Sequence, residues 1–194
     1  ILGESLVKRD SDFNSIVLNN TQYFGTTIWV QDINAYSKRD YAKDRDMQIG
    51  MLPPKLSQMM INLSGGKTIY DPFVGLGTVL IESIYMWNTS VYGTDISEQM
   101  VTTSSKNIEK LKVKFDFSSS IEKLNSKYIE ESNFLKYADV IVTEWYLWEV
   151  MTQKNISIDR INKQRESLIK LYEWFFWWLK KEKFKWNIVI CFPF

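Results

Sequence analysis

The sequence predicts an α/β fold with a mostly parallel, doubly wound sheet and helices on both faces. Three observations carry that expectation. From Thr68 onward, short apolar runs of strand length alternate with longer amphipathic segments, and such alternation builds a parallel sheet through crossover helices. A glycine turn, Gly75-Leu76-Gly77, stands between the first of those strands and the helix that follows it. The length of 194 residues suits one domain of ordinary size with a sizeable core.

Taken in order, residues 1–50 are polar and irregular, with short apolar runs at 15–18 and 26–30. They read as an N-terminal extension leading into a domain over 51–194. Pro53 and Pro54 mark a helix start, because proline is tolerated in a first turn. Leu56, Met59, Met60 and Leu63 fall at helical spacing and are expected to form its apolar face, and Gly65-Gly66 ends it. A short strand follows at 68–70, an apolar helix at 78–86 and a strand running to Asp95. Ser97 is placed to cap the next helix, which extends toward Lys112. A weak strand is expected within 113–124. The stretch from Ala138 to Thr143 is a clear strand ending in Glu144, 156–181 a long helix and 187–192 a final buried strand. The chain opens on Ile1, and a sheet finishing on that last strand would leave an apolar edge uncovered. The sequence therefore reads as part of a longer protein, truncated at its C-terminus.

Composition excludes several chemistries. Histidine is absent and Cys191 is the single cysteine, so there is no Ser-His-Asp or Cys-His pair, no His/Cys zinc site and no disulfide framework. No metal is expected. Twenty-four Lys and Arg balance 23 Asp and Glu for a net charge of +1, which excludes a strongly basic arm. No signal peptide opens the chain, and the aromatic-rich run at 172–179 is far too short to span a bilayer. The expectation is a soluble, cytoplasmic protein with no membrane partner. Catalysis must then rest on carboxylates, amides, hydroxyls, Lys or Arg, backbone groups or a cofactor.

The richest segment is TIYDPFVGLGTVLIES, residues 68–83. A strand ends in Asp71-Pro72, the glycine turn follows, and a helix begins at Thr78. Glycines here let the backbone pass close to a ligand and turn sharply into the helix. The next strand, VYGTD, ends in Asp95. An acid about twenty residues beyond a glycine-rich turn is placed to accept hydrogen bonds from ribose hydroxyls. Leu80 stands where the dinucleotide fingerprint needs its third glycine, and no phosphate-binding G-x-x-x-x-G-K-[ST] loop is present.

The acid-first form, D-P-F-x-G-x-G-T, resembles motif I of class I S-adenosylmethionine (SAM) methyltransferases. With the following I-E, G-x-D and a helix bearing Asn107, the pattern is similar to the THUMP-associated RNA methyltransferases, and within them to the tRNA guanosine-10 N2-methyltransferase family. The upstream RDMQIGMLPPKLSQMMINL resembles that family's segment before motif I. The resemblance covers roughly residues 26–194. It implies a Rossmann-like class I methyltransferase fold, SAM as cofactor and RNA, most naturally tRNA, as substrate. It places Asp71, Gly75 and Gly77 at the methionine end of SAM within a loop that includes Pro72, Phe73 and Thr78. Asp95 is set at the ribose, and Asn125 or Asp116 at the adenine.

Amino-methylating enzymes of this kind usually carry D/N-P-P-Y/F after the fourth strand. This chain has Thr143-Glu144-Trp145-Tyr146-Leu147-Trp148. Glu144 keeps an acceptor for the target amine and Tyr146 keeps a ring to stack on the base, but both prolines are gone. The competing readings are a DNA or protein amino-methyltransferase and a catalytically silent SAM- or RNA-binding module.

Tryptophan and glycine are equal in number, 8 each, although glycine usually makes up roughly 7% of a chain. Trp87 falls just after a helix, where a capping glycine is expected, and Trp145, Trp148 and Trp186 also lie near turns. A cell that decodes UGA as glycine would yield such a sequence when its gene is read by a code in which UGA means tryptophan. An aromatic-rich core or base-stacking surface is the alternative.

Overall fold

The structure, a computed structural model, describes residues 13–26, 32–41, 52–145 and 157–192. The chain divides into two compact units, residues 1–42 and 43–194.

In the first unit, β1 (Phe13–Leu18) pairs antiparallel with β2 (Thr21–Thr26), Leu18 standing opposite Thr21. The two linking residues, Asn19 and Asn20, have φ 48° and 60°. A two-residue hairpin loop with both residues left-handed matches the twist of its strands, and Asn tolerates that region. The expected second apolar run thus begins where β2 ends, and its residues 27–30 lie outside the described residues. Helix α1 (Ile33–Tyr41) follows, with Asp32 Oδ1 accepting from the Ala35 N–H at 2.9 Å as its cap.

The second unit runs α2 (Pro54–Ser64), β3 (Thr68–Asp71), α3 (Thr78–Tyr85), β4 (Ser90–Asp95), α4 (Glu98–Glu109) and β5 (Ser118–Lys123). It continues through 3-10 turns at Ser126–Glu131 and Asn133–Lys136 to β6 (Val140–Glu144), α5 (Ile158–Lys181) and β7 (Asn187–Cys191). The five strands are ordered β5-β4-β3-β6-β7, and every pairing is parallel. The chain winds outward from β3 to β5, then returns to lay β6 on the other side of β3. The carboxyl ends of β3 and β6 therefore flank a topological switch point, the usual crevice for ligands in such sheets.

Alternation along the strands supplies a core on each face. Ile69, Val91, Val140 and Val142 pack with Met60 and Ile61 of α2, Val79, Leu80, Ile81 and Ile84 of α3, and Ile108 of α4. Tyr70 and Ile141 point the other way, toward Phe175 and Leu179 of α5 and toward Ile129 and Phe134 of the 3-10 turns. The fold is the α/β, doubly wound sheet that the sequence predicts.

Helix α2 corrects the face expected for it. Its buried residues are Pro54, Ser57, Met60, Ile61 and Ser64, whereas Met59 and Leu63 are exposed and Leu56 lies at the edge of exposure. Small serines let the helix sit close to its neighbours. The Ser64 hydroxyl donates to the Ile61 carbonyl at 2.7 Å, and the Ser64 carbonyl accepts from Asn187 Nδ2 of β7 at 2.9 Å. Two small serines thus share the buried face with Met60 and Ile61; the Ser64 hydroxyl is hydrogen-bonded, whereas the Ser57 hydroxyl has no hydrogen-bond partner among the described residues.

Candidate functional site

The site is assembled at the carboxyl edge of the central strands. Strand β3 ends in Asp71, buried at 2% exposure, with Gly93 of β4 opposite in register. The turn after it is held at each step. The Val74 N–H donates to the Thr94 carbonyl (2.9 Å), the Gly77 N–H to the Val74 carbonyl (2.7 Å), and Asn107 Nδ2 of α4 to the Leu76 carbonyl (3.2 Å). Gly77 is the cap of α3 at φ 86°, a conformation that side chains with a Cβ resist. Gly93 meets a different constraint. A Cβ there would lie 2.7 Å from Val74 Cγ2 and 3.0 Å from Leu80 Cδ1, so its lack of a side chain lets the turn lie down on β4.

Asp95, at the tip of β4, is drawn into the same turn. Its Oδ2 accepts from the Gly75 N–H (3.0 Å) and its Oδ1 from the Ser97 N–H (2.9 Å). Burial pushes its carboxyl above the ordinary range while those backbone donors pull it down. Ser97 caps α4 by accepting from the Met100 N–H at 3.4 Å.

Asp71 Oδ1 accepts two hydrogen bonds, from the Phe73 N–H (3.1 Å) and from the Thr143 hydroxyl of β6 (2.6 Å). Burial pushes its carboxyl up to about 7 against those two donors, and the nearby charges of Asp95 and Glu144 add to the rise. The Pro72 carbonyl accepts from the Ser126 hydroxyl at 2.5 Å, tying the turn to the segment after β5. The Phe73 ring packs with its centroid 4.7 Å from that of Trp145 and 6.0 Å from that of Phe175. Pro72 and Thr78 are buried.

Asn125 follows the carboxyl end of β5 and caps the next turn, its Oδ1 accepting from the Lys127 N–H at 3.0 Å. Asp116 precedes β5 and lies at the opposite edge of the sheet. Of the two acids or amides weighed for the adenine, the structure brings only Asn125 to the side of Asp71 and Asp95.

The last strand end, β6, holds Glu144 half-buried beside the turn. Burial raises its carboxyl, and the Leu52 N–H donates to it and lowers it. Trp145 follows, completely buried, with ring centroids 4.2 Å from Tyr172, 5.0 Å from Phe175 and 5.8 Å from Phe192. Its Nε1 has no hydrogen-bond partner. Where the amino-methylating loop usually carries its first proline, this chain plants an aromatic anchor in the core. Tyr146, Leu147 and Trp148 lie outside the described residues.

Three contributors have no role in the sequence reading, Thr143, Ser126 and Gln58, and Gly93 enters it only as the first position of the G-x-D pattern. Gln58 Nε2 donates to Glu82 Oε2 at 2.7 Å and so joins α2 to the fully buried carboxylate of the I-E pair after the turn. A signal existed for Gly93, inside an otherwise side-chain-bearing strand, since such a glycine marks a close backbone approach. Nothing in the sequence marks Ser126.

Among the described residues, no group of three or more His, Cys, Asp or Glu is placed to hold a metal, and no helix is long and apolar enough to cross a membrane.

Set beside known proteins, residues 42–147 match the family model of the RMKL-like methyltransferase domain. Over 172 residues the chain is 26% identical to the tRNA (guanine(10)-N2)-dimethyltransferase of Methanocaldococcus jannaschii, covering 86% of this chain and 48% of that protein. A 64-residue stretch is 44% identical to the protein of the same name from Pyrococcus abyssi, covering 32% of this chain and 19% of the relative. The chain thus spans about half the length, or less, of these curated relatives. Among solved structures it is similar to TrmN from Thermus thermophilus, at TM-score 0.51 and 16% identity over 84% of this chain and 43% of that one. It is also similar to a predicted N6-adenine-specific DNA methylase from Listeria monocytogenes, at TM-score 0.57 and 13% identity over 79% and 46%. At such identities the structural likeness speaks to the fold alone.

Proposed function

Because the chain belongs to the RMKL-like methyltransferase domain family, we propose that it is the SAM-dependent part of an RNA methyltransferase that modifies an exocyclic amine of a nucleobase, guanine N2 in tRNA. The observation that carries this reading is the pairing of Asp71 and Asp95 around one glycine turn, with the Gly75 N–H bonded to the second acid. The turn has no clustered lysine or arginine for a pyrophosphate, and two carboxylates suit a ligand with a cationic amino-acid end and a ribose. The names of the relatives point to guanine N2 in tRNA. The methyltransferase domain is assigned to 51–194, preceded by an extension over 1–50, in a protein of the cytoplasm.

The residues fit that cofactor. Gly77 and Gly93 keep the floor of the turn free of side chains. Asp71 would hold the ammonium end, Asp95 the ribose hydroxyls and Asn125 the adenine, with backbone groups of Pro72, Phe73, Gly75 and Thr78 shaping the cradle. SAM supplies a methyl group already activated on a sulfonium. The protein's work is then alignment. Glu144 accepts a hydrogen bond from the target amine and stabilises the positive charge that develops on it, and Tyr146 stacks on the base. No strong base is required beforehand, which agrees with a chain that has no histidine. A base within folded RNA must be flipped or presented unpaired to reach this edge.

One observation favours a second reading. Trp145 is locked in the core where the amine-methylating loop has its proline, which is compatible with a module that binds SAM or RNA without transfer. Labelled methyl incorporation into a tRNA transcript separates the two. Incorporation that disappears when the target guanosine is replaced by inosine, which lacks the N2 amine, supports the main reading. Cofactor binding without any incorporation supports the silent module, and failure to bind cofactor removes the main reading and leaves the second only as an RNA-binding module.

A further inference from the structure

Thr143 is fully buried one residue before Glu144, on the strand that parallel pairing lays beside β3. Its hydroxyl lies 2.6 Å from Asp71 Oδ1 and 3.3 Å from the Glu144 carbonyl, so the shorter contact takes its single proton. We propose that Thr143 is a positioning residue: its hydroxyl fixes the Asp71 carboxylate for the ammonium end of the cofactor and couples the acceptor strand to the cofactor turn. This rests on the cofactor reading above.

The surroundings of Asp71 explain why such a donor is needed. Among the described residues, the ionisable groups facing it are Asp95 from β4, Glu144 from β6 and Tyr70 on its own strand. All are acidic or neutral at physiological pH. With no cation among them, the Thr143 hydroxyl and the Phe73 N–H are what favour the charged carboxylate over the protonated one. Oδ1 is occupied by those two donors, so Oδ2 is the oxygen left to meet an ammonium group. Removing the hydroxyl makes ionisation of a buried carboxyl harder, and cofactor binding then requires a higher pH.

The test measures the affinity for S-adenosylhomocysteine by calorimetry across neutral pH, together with the ligand-free Tm, for the wild type, Thr143→Ser and Thr143→Val. Wild type and Thr143→Ser should bind more tightly as pH rises through about 7. Thr143→Val should bind about tenfold more weakly at neutral pH, with its midpoint moved about one pH unit higher, and should recover toward wild type in alkali. Uniform weakening of Thr143→Val at every pH, or none, overturns the proposal. Should that variant fail to fold, Thr143→Ala carries the same comparison. A wild type that binds at no pH sinks the cofactor reading itself, a result distinct from either.

The end of α3 carries a second inference independently. The Asn88 N–H donates to the Ser83 carbonyl (3.1 Å) and the Trp87 N–H to the Ile84 carbonyl (3.0 Å), the paired bonds of a Schellman end. They hold residue 87 at φ 67°, where glycine is the usual occupant because a Cβ is strained there. Helix α2 ends on Gly65 at φ 69°. Trp87 is 80% exposed, and its ring meets Phe115 edge-on at 5.8 Å, so burial offers little compensation. We infer that position 87 is glycine in the protein its own cell makes, a UGA codon having been read as tryptophan. Trp87 alone among the described tryptophans has a positive φ, so the inference is confined to it. Mass spectrometry of the tryptic peptide 68–106 from source cells should find glycine at 87, and tryptophan there, or a UGG codon, overturns the inference. In the chain as written, Trp87→Gly should raise Tm by about 2–4 °C through relief of the left-handed strain, and an unchanged or lower Tm counts against it.

Discussion

The two halves of the carboxyl edge are held by different means. On the β3–β4 side, backbone amides of one short turn reach the carboxylates of Asp71 and Asp95, and two glycines set how closely the turn lies on the sheet. On the β6 side, the strand end is fastened by ring packing. Trp145 wedges among Phe73, Tyr172, Phe175 and Phe192, elements far apart in the chain. The first arrangement is local and specified by residue type at fixed spacing. The second depends on tertiary packing, and any set of large apolar side chains of suitable volume could supply it.

That contrast can be broken most severely at Gly93. Gly93→Val places branched atoms where even a Cβ is 2.7 Å from Val74; it is expected to cost about 1–3 kcal/mol in urea unfolding and to abolish cofactor binding by lifting the turn. Next, Asp95→Ala should leave the fold intact and weaken S-adenosylhomocysteine binding about 100-fold by calorimetry, the scale of losing a charge-assisted hydrogen bond. The acceptor half should respond the other way. Glu144→Gln is expected to slow methyl incorporation by about 10–100-fold without weakening the cofactor affinity, since removing its charge favours an ionised Asp71. If Glu144→Gln weakens binding as much as transfer, the two halves are not separable.

The mildest effect is on stability. Burial raises Asp71 from its ordinary 3.8 to about 7, so the folded ligand-free protein favours the protonated acid more than the unfolded chain does. Its contribution to stability is therefore fullest below about pH 4 and is lost as pH rises through about 7. Thermal unfolding of the wild type and Asp71→Asn, followed across that window, should show a decline with pH that the variant lacks. A bound ammonium group stabilises the carboxylate, so the decline should shrink with cofactor present.

The same contrast explains what the sequence could reveal. Asp71, Gly75, Gly77 and Asp95 are legible because a turn that must pass close to a ligand restricts residue type at each step. Strand β5, with sequence SSSIEK, was visible only as a weak strand somewhere in a dozen residues, because an edge strand is held by backbone pairing to β4 and needs little apolar patterning. Helix α2 was placed correctly and turned wrongly. Its buried face contains Ser57 and Ser64, and counting apolar residues cannot see a face built partly of small serines. In the sequence Thr143 only bounds a strand, since its partner Asp71 lies 72 residues away and only the crossover that lays β6 beside β3 brings them together.

The amide that meets Glu144 belongs to Leu52, and the next two residues, Pro53 and Pro54, have no amide hydrogen to offer. Ligand chemistry at the end of β6 is thereby wired to one backbone resonance nearly a hundred positions earlier in the chain. In an isotope-labelled sample, the Leu52 proton and nitrogen shifts would follow the charge on Glu144, giving a spectroscopic reporter of the acceptor pocket that needs no label inside it.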